Sequence, residues 1–391
     1  MPSPRPARAS TLARPKAHLA LCAVVAIAAG ACSLFTDLSG LSGGAGTTDA
    51  GDAGAEAAAP PGAEAGTPCV DTRSDPLHCG RCGHSCLGDP CDAGACVPTQ
   101  VASTPMGIGG IDVDDTRVYW SSYVGDGSGK LLAVDKNQGG SPTVLIDSPE
   151  PRFHPKTVLV DGAYVAVVNT ASGNGTSAIY RVAKAGGIPA KIATSCIGDG
   201  AIGLTAIDND YYFGFNRGAP AVLRATKAGD KCGGITLEGM VGIETLATDG
   251  AAIFATQSTN NGPPGGVFRF ALTGGDPVAL APALIETANG LAIDGDKLVV
   301  STGAGTIVTM AKDGSSPAPL TPETEGAPRT VVTDANGVYW ANESSGEIVG
   351  FDRATKTRRI IATGQKSVSL LAADAGRLYW PANGQIMRVA K

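Results

Sequence analysis

From about residue 97 onward, short apolar-polar alternations are interrupted every few positions by Gly, Asp, Asn or Pro. The stretch DANGVYWANESSGEIVGFDR, Asp334 to Arg353, shows the unit most fully. It reads as an Asp-opened turn, a strand ending in Tyr339-Trp340, a Gly-bearing turn and a second strand. Counting six residues back from the Trp-equivalent position gives Asp114, Asp161, Asp208, Asp249, Asp294, Asp334 and Asp374, at steps of 47, 47, 41, 45, 40 and 40 residues. Aligned on this Asp, each repeat opens with an apolar strand (IDV, VLV, TAI, TLA, LAI, VVT, LLA). A tight turn follows, often Asp-Gly as at Asp161-Gly162, Asp249-Gly250 and Asp294-Gly295, which is hairpin chemistry. The second strand is VYW, YVAV, YYFG, AIFA, KLVV, VYW or LYW. The third is KLLAVDK, AIYRVAK, AVLRATK, GVFRFAL, TIVTMAK, EIVGFDR or QIMRVAK. A fourth follows in six repeats: TVLI, AKIA, GITL, PVAL, APLT and RRIIA. Four strands at a 40–47-residue period predict the blades of a β-propeller.

The seventh repeat ends at Lys391 without a fourth strand, and VPTQVAST, Val97 to Thr104, has the pattern of the missing one. The expected fold is therefore all-β: a seven-bladed propeller of four-stranded blades over residues 97–391, closed by an N-terminal strand. The repeated Asp is expected to be structural, because its carboxylate opens turns. The Tyr-Trp pairs are expected in the core or between blades. The turn between second and third strands is long in three blades (121–129, 169–177 and 256–266). It shares a face with the connections between blades, so a binding site is expected on that face near the central channel.

Ahead of the repeats the pattern changes twice. Residues 1–18 carry Arg5, Arg8, Arg14 and Lys16 and no acid, and an apolar run extends from Leu19 to Ala29. This is the length of a signal-peptide core and short for a bilayer span. Residues 33–66 are nearly all Ala, Gly, Ser, Thr, Asp, Glu and Pro, a composition that cannot bury enough apolar surface to fold; 32–66 reads as a tether. Residues 67–97 hold six of the ten cysteines: Cys69, Cys79, Cys82, Cys86, Cys91 and Cys96. So few apolar residues need staples, and three disulfides of open connectivity are expected. Zinc is the rival, since Cys79-x-x-Cys82 with His84 and Cys86 has ligand chemistry.

Two resemblances bear on these segments. Ala29-Gly30-Ala31-Cys32 resembles a bacterial lipobox, with Ala29 where Leu is usual; this implies a signal peptide over 1–31 and lipidation at Cys32. With Ser33 after the Cys, the resemblance implies the outer membrane. Ala29-x-Ala31 also suits ordinary signal peptidase, which would leave the chain secreted or periplasmic. DPLHCGRCGHSC with the following GACV resembles the Cys-rich module of the plant stigma-specific protein family, related forms of which occur on myxobacterial surface proteins. That implies an extracellular structural or adhesive module. In the repeats, VYW followed by SGEIVGFDR or GQIMRVAK resembles YWTD-repeat propellers and, more loosely, the NHL and gluconolactonase-like groups. Asn342 and Ser122 stand where that motif has Asp.

Charge and candidate chemistry add little that is sharp. The net charge of −6, without a basic block in the repeats, argues against nucleic acid. His154 is the only histidine of the ring and reads as a solvent-facing loop residue. Cys196 and Cys232 are the ring's only cysteines and are expected to pair. Glu244, Glu286 and Asn289 precede innermost strands; such oxygen ligands suit Ca²⁺, and gluconolactonase-like propellers place acid and Asn ligands there. Two functions follow. The first is a non-enzymatic, monomeric cell-envelope lipoprotein without cofactor, anchored to the membrane by lipid and presenting a loop-rich face to a protein or glycan. The alternative is a Ca²⁺-dependent hydrolase or lyase of the gluconolactonase-like type.

Overall fold

The computed structural model describes residue 69 and residues 71–391 except 105–106, 126, 150–151, 171–177, 194–199, 216–221, 230–231, 236–241, 258–264, 282–284, 286 and 323–324. Between Cys232 and Ile235 it describes the backbone alone. Seven antiparallel four-stranded sheets follow one another, as expected. Blade 1 runs Ile108–Val113, Arg117–Tyr123, Gly129–Asp135 and Thr143–Asp147 from the innermost strand outward. The innermost strands of the next five blades are Pro155–Asp161, Ala201–Ile207, Ile243–Thr248, Ala288–Asp294 and Pro328–Thr333. Blade 7 starts with the short Ala372–Ala373, and its outermost strand is Thr99–Ser103, pairing with Gln385–Ala390. The segment before the first repeat thus closes the ring.

The core lies mainly between blades, because each sheet turns apolar side chains to both neighbours. Trp120, Trp340 and Trp380 are fully buried. Trp120 of blade 1 packs with Val101, Tyr379 and Ile386 of blade 7, and Trp340 of blade 6 with Val299 and Ile307 of blade 5. Truncating any of them to Ala removes about 3–5 kcal/mol.

The repeated Asp works harder than a turn residue. Oδ1 of Asp114, Asp249, Asp334 and Asp374 accepts amide hydrogen bonds from its own turn, as from Thr116 and Arg117 at 2.8 Å each. The carboxylate also holds a cation that ends the third strand of the next blade. The pairs are Asp114–Lys184 at 2.7 Å, Asp161–Lys227 at 2.8 Å, Asp249–Lys312 at 2.9 Å, Asp294–Arg353 at 2.7 Å, Asp334–Lys391, and Asp374–Lys136 at 2.6 Å. The last joins blade 7 back to blade 1. One step is missing. Asp208 of blade 3 faces blade 4, where Leu272 occupies the cation's place and packs into an apolar cluster instead. Asp208 is exposed, sits at φ 49° and has no ion-pair partner among the described residues.

The Cys-rich segment is stapled by Cys69–Cys82, Cys79–Cys91 and Cys86–Cys96. The zinc alternative is overturned. Cys79, Cys82 and Cys86 are all in disulfides, and both ring nitrogens of His84 are engaged, by the carbonyls of Cys79 and Lys391 at 2.6 Å each. The segment shares the core of blades 6 and 7: Cys79, Cys86 and Cys96 are buried in one cluster with Tyr339, Trp380 and Val389. Asp89, 2% exposed, lies between Arg388 at 2.7 Å and Arg377 at 3.5 Å and accepts the Thr99 hydroxyl at 2.9 Å.

The cation ring makes unequal demands on equivalent residues. Asp374→Ala strands the half-buried Lys136 and two turn amides, and is expected to cost about 2–3 kcal/mol in urea unfolding. Asp208→Ala is expected to stay within about 0.5 kcal/mol. Equal costs would show that the blade-to-blade pairs are incidental.

Candidate functional site

A cavity of about 510 Å³ occupies the axis, lined by residues of all seven blades near the starts of their innermost strands. In blades 1 to 6 the pairing of first and second strands breaks register at this level. The residues left unopposed are Gly109, Lys156 with Thr157, Ile202 with Gly203, Glu244, Asn289, and Arg329 with Thr330. All of them line the cavity. A β-bulge re-aims its extra residue, and here six bulges do so at one height. Counted from the repeated Asp, the fifth residue before it is Gly109, Lys156, Gly203, Glu244, Asn289, Arg329 and, in blade 7, Ser369. Every one lines the cavity.

A bulge leaves a carbonyl without its ladder partner, and the preceding blade supplies one. Ser121 donates to the Lys156 carbonyl at 2.8 Å, Thr157 to Ile202, Thr245 to Asn289 at 3.2 Å, Ser301 to Arg329, and Thr330 to Ser369 at 2.8 Å. Close approach of the strands requires glycine, most tightly at Gly109 and Gly290. A Cβ on Gly109 would lie 2.3 Å from the Pro155 carbonyl oxygen, and one on Gly290 2.3 Å from that of Arg329.

Of the residues expected to hold Ca²⁺, Glu244 and Asn289 both line the cavity, and Glu286 lies outside the described residues. Asn289 donates its amide to the Pro328 carbonyl at 2.9 Å. Glu244 is the one carboxylate among the described lining residues. Calcium takes six to eight oxygens, and of this set the described lining supplies the Glu244 carboxylate and the Asn289 side-chain oxygen. Lys156 and Arg329 bring positive charge to the same ring; Arg329 pairs with Glu343 at 2.7 Å.

His154 departs from its expected solvent-facing place. It is half-buried, its ring lies 5.7 Å from that of Tyr123, and Nε2 is shielded from solvent. Its amide donates to Asn169 Oδ1 at 2.7 Å. Asn169 holds the position that is Asn342 in blade 6, eight residues after the repeated Asp. Asn342 in turn donates to Glu325 at 2.7 Å, and Arg358 forks onto the same buried carboxylate at 2.8 and 2.9 Å. These buried polar groups fasten connections between blades to second strands. Cys32 and Cys196 lie outside the described residues, as does the side chain of Cys232.

One inner-strand group titrates unusually. Two residues before the repeated Asp, blades 2 to 7 carry Leu159, Ala206, Ala247, Ala292, Val332 and Ala372, whereas blade 1 carries Asp112. Its carboxylate accepts the amides of Val160 at 2.7 Å and Val113 at 2.8 Å. Burial pushes it up to about 6, against the pull of those amides and of Lys184. Asp249 goes the other way: burial raises it, but the Lys312 ammonium and two turn amides outweigh that and bring it to about 2.

No protein-family model matches the sequence, and no curated protein does. Solved structures match the fold. YCF48 from Cyanidioschyzon merolae superposes with a TM-score of 0.57 at 14% identity, over 75% of this chain and 98% of that one. The computationally designed Ika8 protein gives 0.52 at 13%, over 72% and 84%. A chain of the nidogen/laminin complex gives 0.48 at 14%, over 62% and 91%. At these identities the likeness to YCF48 and to the designed protein is one of fold.

Asp112 carries a signed pH dependence. Its folded value exceeds the ordinary 3.8, so the folded state binds the proton more tightly, and its contribution to stability grows as pH falls from about 6 towards 4. Asp249 contributes oppositely: its stabilisation is present above the ordinary value of 3.8 and is lost as pH falls through about 2. Between pH 7.5 and 4.5 the unfolding free energy of wild type is expected to gain about 1–2 kcal/mol relative to Asp112→Leu, the residue of blade 2. Parallel curves for the two proteins would show that Asp112 does not titrate in this window.

Proposed function

We propose that the chain is a non-enzymatic, lipid-anchored protein of the cell envelope, acting as a monomer, whose propeller binds a partner or glycan at the axial cavity. One observation carries the binding reading. The fold repeats the same strands seven times, yet at the bulged position the residue changes from blade to blade: Gly109, Lys156, Gly203, Glu244, Asn289, Arg329, Ser369. A purely structural position in a symmetric ring has no cause to vary in charge. Five different polar side chains and two glycines around a cavity suit an asymmetric ligand. The lining favours binding over metal-assisted chemistry, because hydroxyls, glycines, one amide and two cations outnumber a single described carboxylate.

The address rests on other residues. Three disulfides suit an oxidising compartment. The lipobox-like AGAC ending at Cys32 and the tether after it support an anchor that holds the propeller off a membrane, for which we favour the outer membrane.

Two measurements test this. Full-length protein expressed in a bacterial host is expected to take up labelled palmitate and to partition with membranes. Cys32→Ala is expected to lose the label; incorporation unchanged by the substitution refutes the anchor. Metal analysis of the purified protein is expected to find no stoichiometric ion, and EDTA to leave its melting temperature within about 1 °C. A bound ion whose removal lowers the melting temperature would restore the Ca²⁺-dependent alternative and direct attention to Glu244, Glu286 and Asn289.

A further inference from the structure

Resting on the binding reading above, we infer that the axial cavity takes an acidic sugar, a uronate-type glycan whose carboxylate is held by Lys156. The argument begins with which protons and charges are already committed. The lining hydroxyls of Thr157, Thr245 and Thr330 donate to carbonyls of the next blade. Their protons are spent inside the ring wall, so what they can offer a ligand is lone pairs. Carbonyls of the innermost strands and the Asn289 side-chain oxygen add further acceptors. The wall is therefore rich in acceptors, and the ligand that suits it is rich in donors. A sugar presents a hydroxyl on most of its carbons.

Charge then separates an acidic sugar from a neutral one. Among the cations paired along the ring, each Lys or Arg that meets a repeated Asp is neutralised, and Arg329 at the cavity meets Glu343. Lys156 differs. Its described contacts are the Tyr123 hydroxyl at 3.0 Å and the face of the Tyr123 ring, 4.1 Å from Nζ to the centroid. No carboxylate among the described residues pairs with it. The ammonium donates to the phenol oxygen, so the phenol's own proton is directed elsewhere, and no described residue accepts it. Lys156 Nζ and Tyr123 Oη thus form a double donor beside an acceptor-lined cavity. A partly buried ammonium without a counter-ion is costly to keep, and a ligand carboxylate removes that cost while forming charge-assisted bonds. An acidic peptide would satisfy Lys156 but brings few donors for the remaining wall. The cavity, about 510 Å³, is the size of a one- or two-residue sugar end rather than of a peptide strand.

The test is calorimetric titration of the full-length, detergent-solubilised protein with three probes: oligogalacturonate, the neutral oligogalactoside of equal length, and poly-L-glutamate. Oligogalacturonate is expected to bind at least about tenfold more tightly than the neutral sugar, with an affinity that falls as salt rises. Lys156→Ala is expected to weaken it about tenfold or more, Lys156→Arg to retain most of it, and Tyr123→Phe to lose less than Lys156→Ala. Lys366→Ala, an exposed lysine outside the cavity lining, serves as the charge control, and unchanged melting of each variant confirms folding. Acidic and neutral sugars binding alike, with no effect of Lys156→Ala, would overturn the anion subsite and leave the binding cavity standing. Lys156-dependent binding of poly-L-glutamate without either sugar would overturn the sugar and assign the subsite to an acidic peptide. Retention of none of the probes, together with a separately identified partner that ignores Arg329→Ala and Asn289→Ala, would overturn both readings.

Discussion

Six of the seven steps around this ring are fastened by a repeated Asp carboxylate, and at Asp114, Asp249, Asp334 and Asp374 that carboxylate is used twice. The Asp that opens the first turn satisfies amides of its own hairpin with one oxygen and reaches a Lys or Arg of the following blade with the other. Such a group cannot be replaced piecemeal. Without it the turn loses its anchor, and a half-buried cation loses its counter-charge, which is the costly way to break an ion pair. Apolar burial between stacked sheets is non-directional, whereas an ion pair is a contact at one place. The Asp–cation pair sets the register of blade on blade, and its closure from Asp374 to Lys136 makes the register circular. Between blades 3 and 4 the device is replaced by apolar contact through Leu272, and there Ile207, Tyr212 and Phe270 supply the cohesion.

The site follows from the same demand at the other end of the strands. Seven innermost strands must converge on an axis, and six of them shed one register step as they do so. The freed carbonyls are met by Ser and Thr from the blade before, which keeps the bulges from being sites of unsatisfied polarity. What the repeat does not dictate is the bulged side chain itself: Asn289 donates to the Pro328 carbonyl, whereas Arg329 pairs with Glu343. The identity of the bulged residue is released from the structural pattern, and this is why both signs of charge occur there.

Much of this was legible in the chain, but not evenly. Period and alternation specified seven blades, and the missing fourth strand of the last repeat pointed to Val97–Thr104 for closure; Thr99–Ser103 takes that place. Glu244 and Asn289 drew attention through their chemistry, yet Lys156 and Arg329 share their register position and did not. Reading the repeat by column, five residues before the Asp, exposes all seven at once. The third strands likewise display a terminal Lys or Arg in six repeats and Leu272 in the other, a signal that becomes an ion-pair ring only when neighbouring blades are considered together. His154 could not be placed from sequence, because its burial depends on Asn169, whose role in fastening the loop is a tertiary matter. The disulfide connectivity was beyond reach for the same reason: spacing permits fifteen arrangements for six cysteines, and only packing against blades 6 and 7 selects one.

That packing changes what the Cys-rich segment is. Its disulfides are not a separate staple for a separate module. Two of them contribute buried sulfur to the core that blades 6 and 7 share, and Asp89 between them and the closing strand gathers Arg377, Arg388 and the Thr99 hydroxyl. Arg388 reaches on to the carbonyls of Lys136 and Asn137 in blade 1. The seam where the two ends of the propeller meet is thus bridged by strand pairing, by Asp374–Lys136 and by an Arg that spans three elements. A five-residue closing strand offers few ladder bonds to resist fraying. Positioned directly before it, an oxidised, docked segment restricts the unfolded ensemble of the weakest point in the circle. Ring closure is coupled in this way to the oxidised state of the segment: reduction would free the stretch that holds Asp89, and with it the charge on which both arginines of the last blade converge.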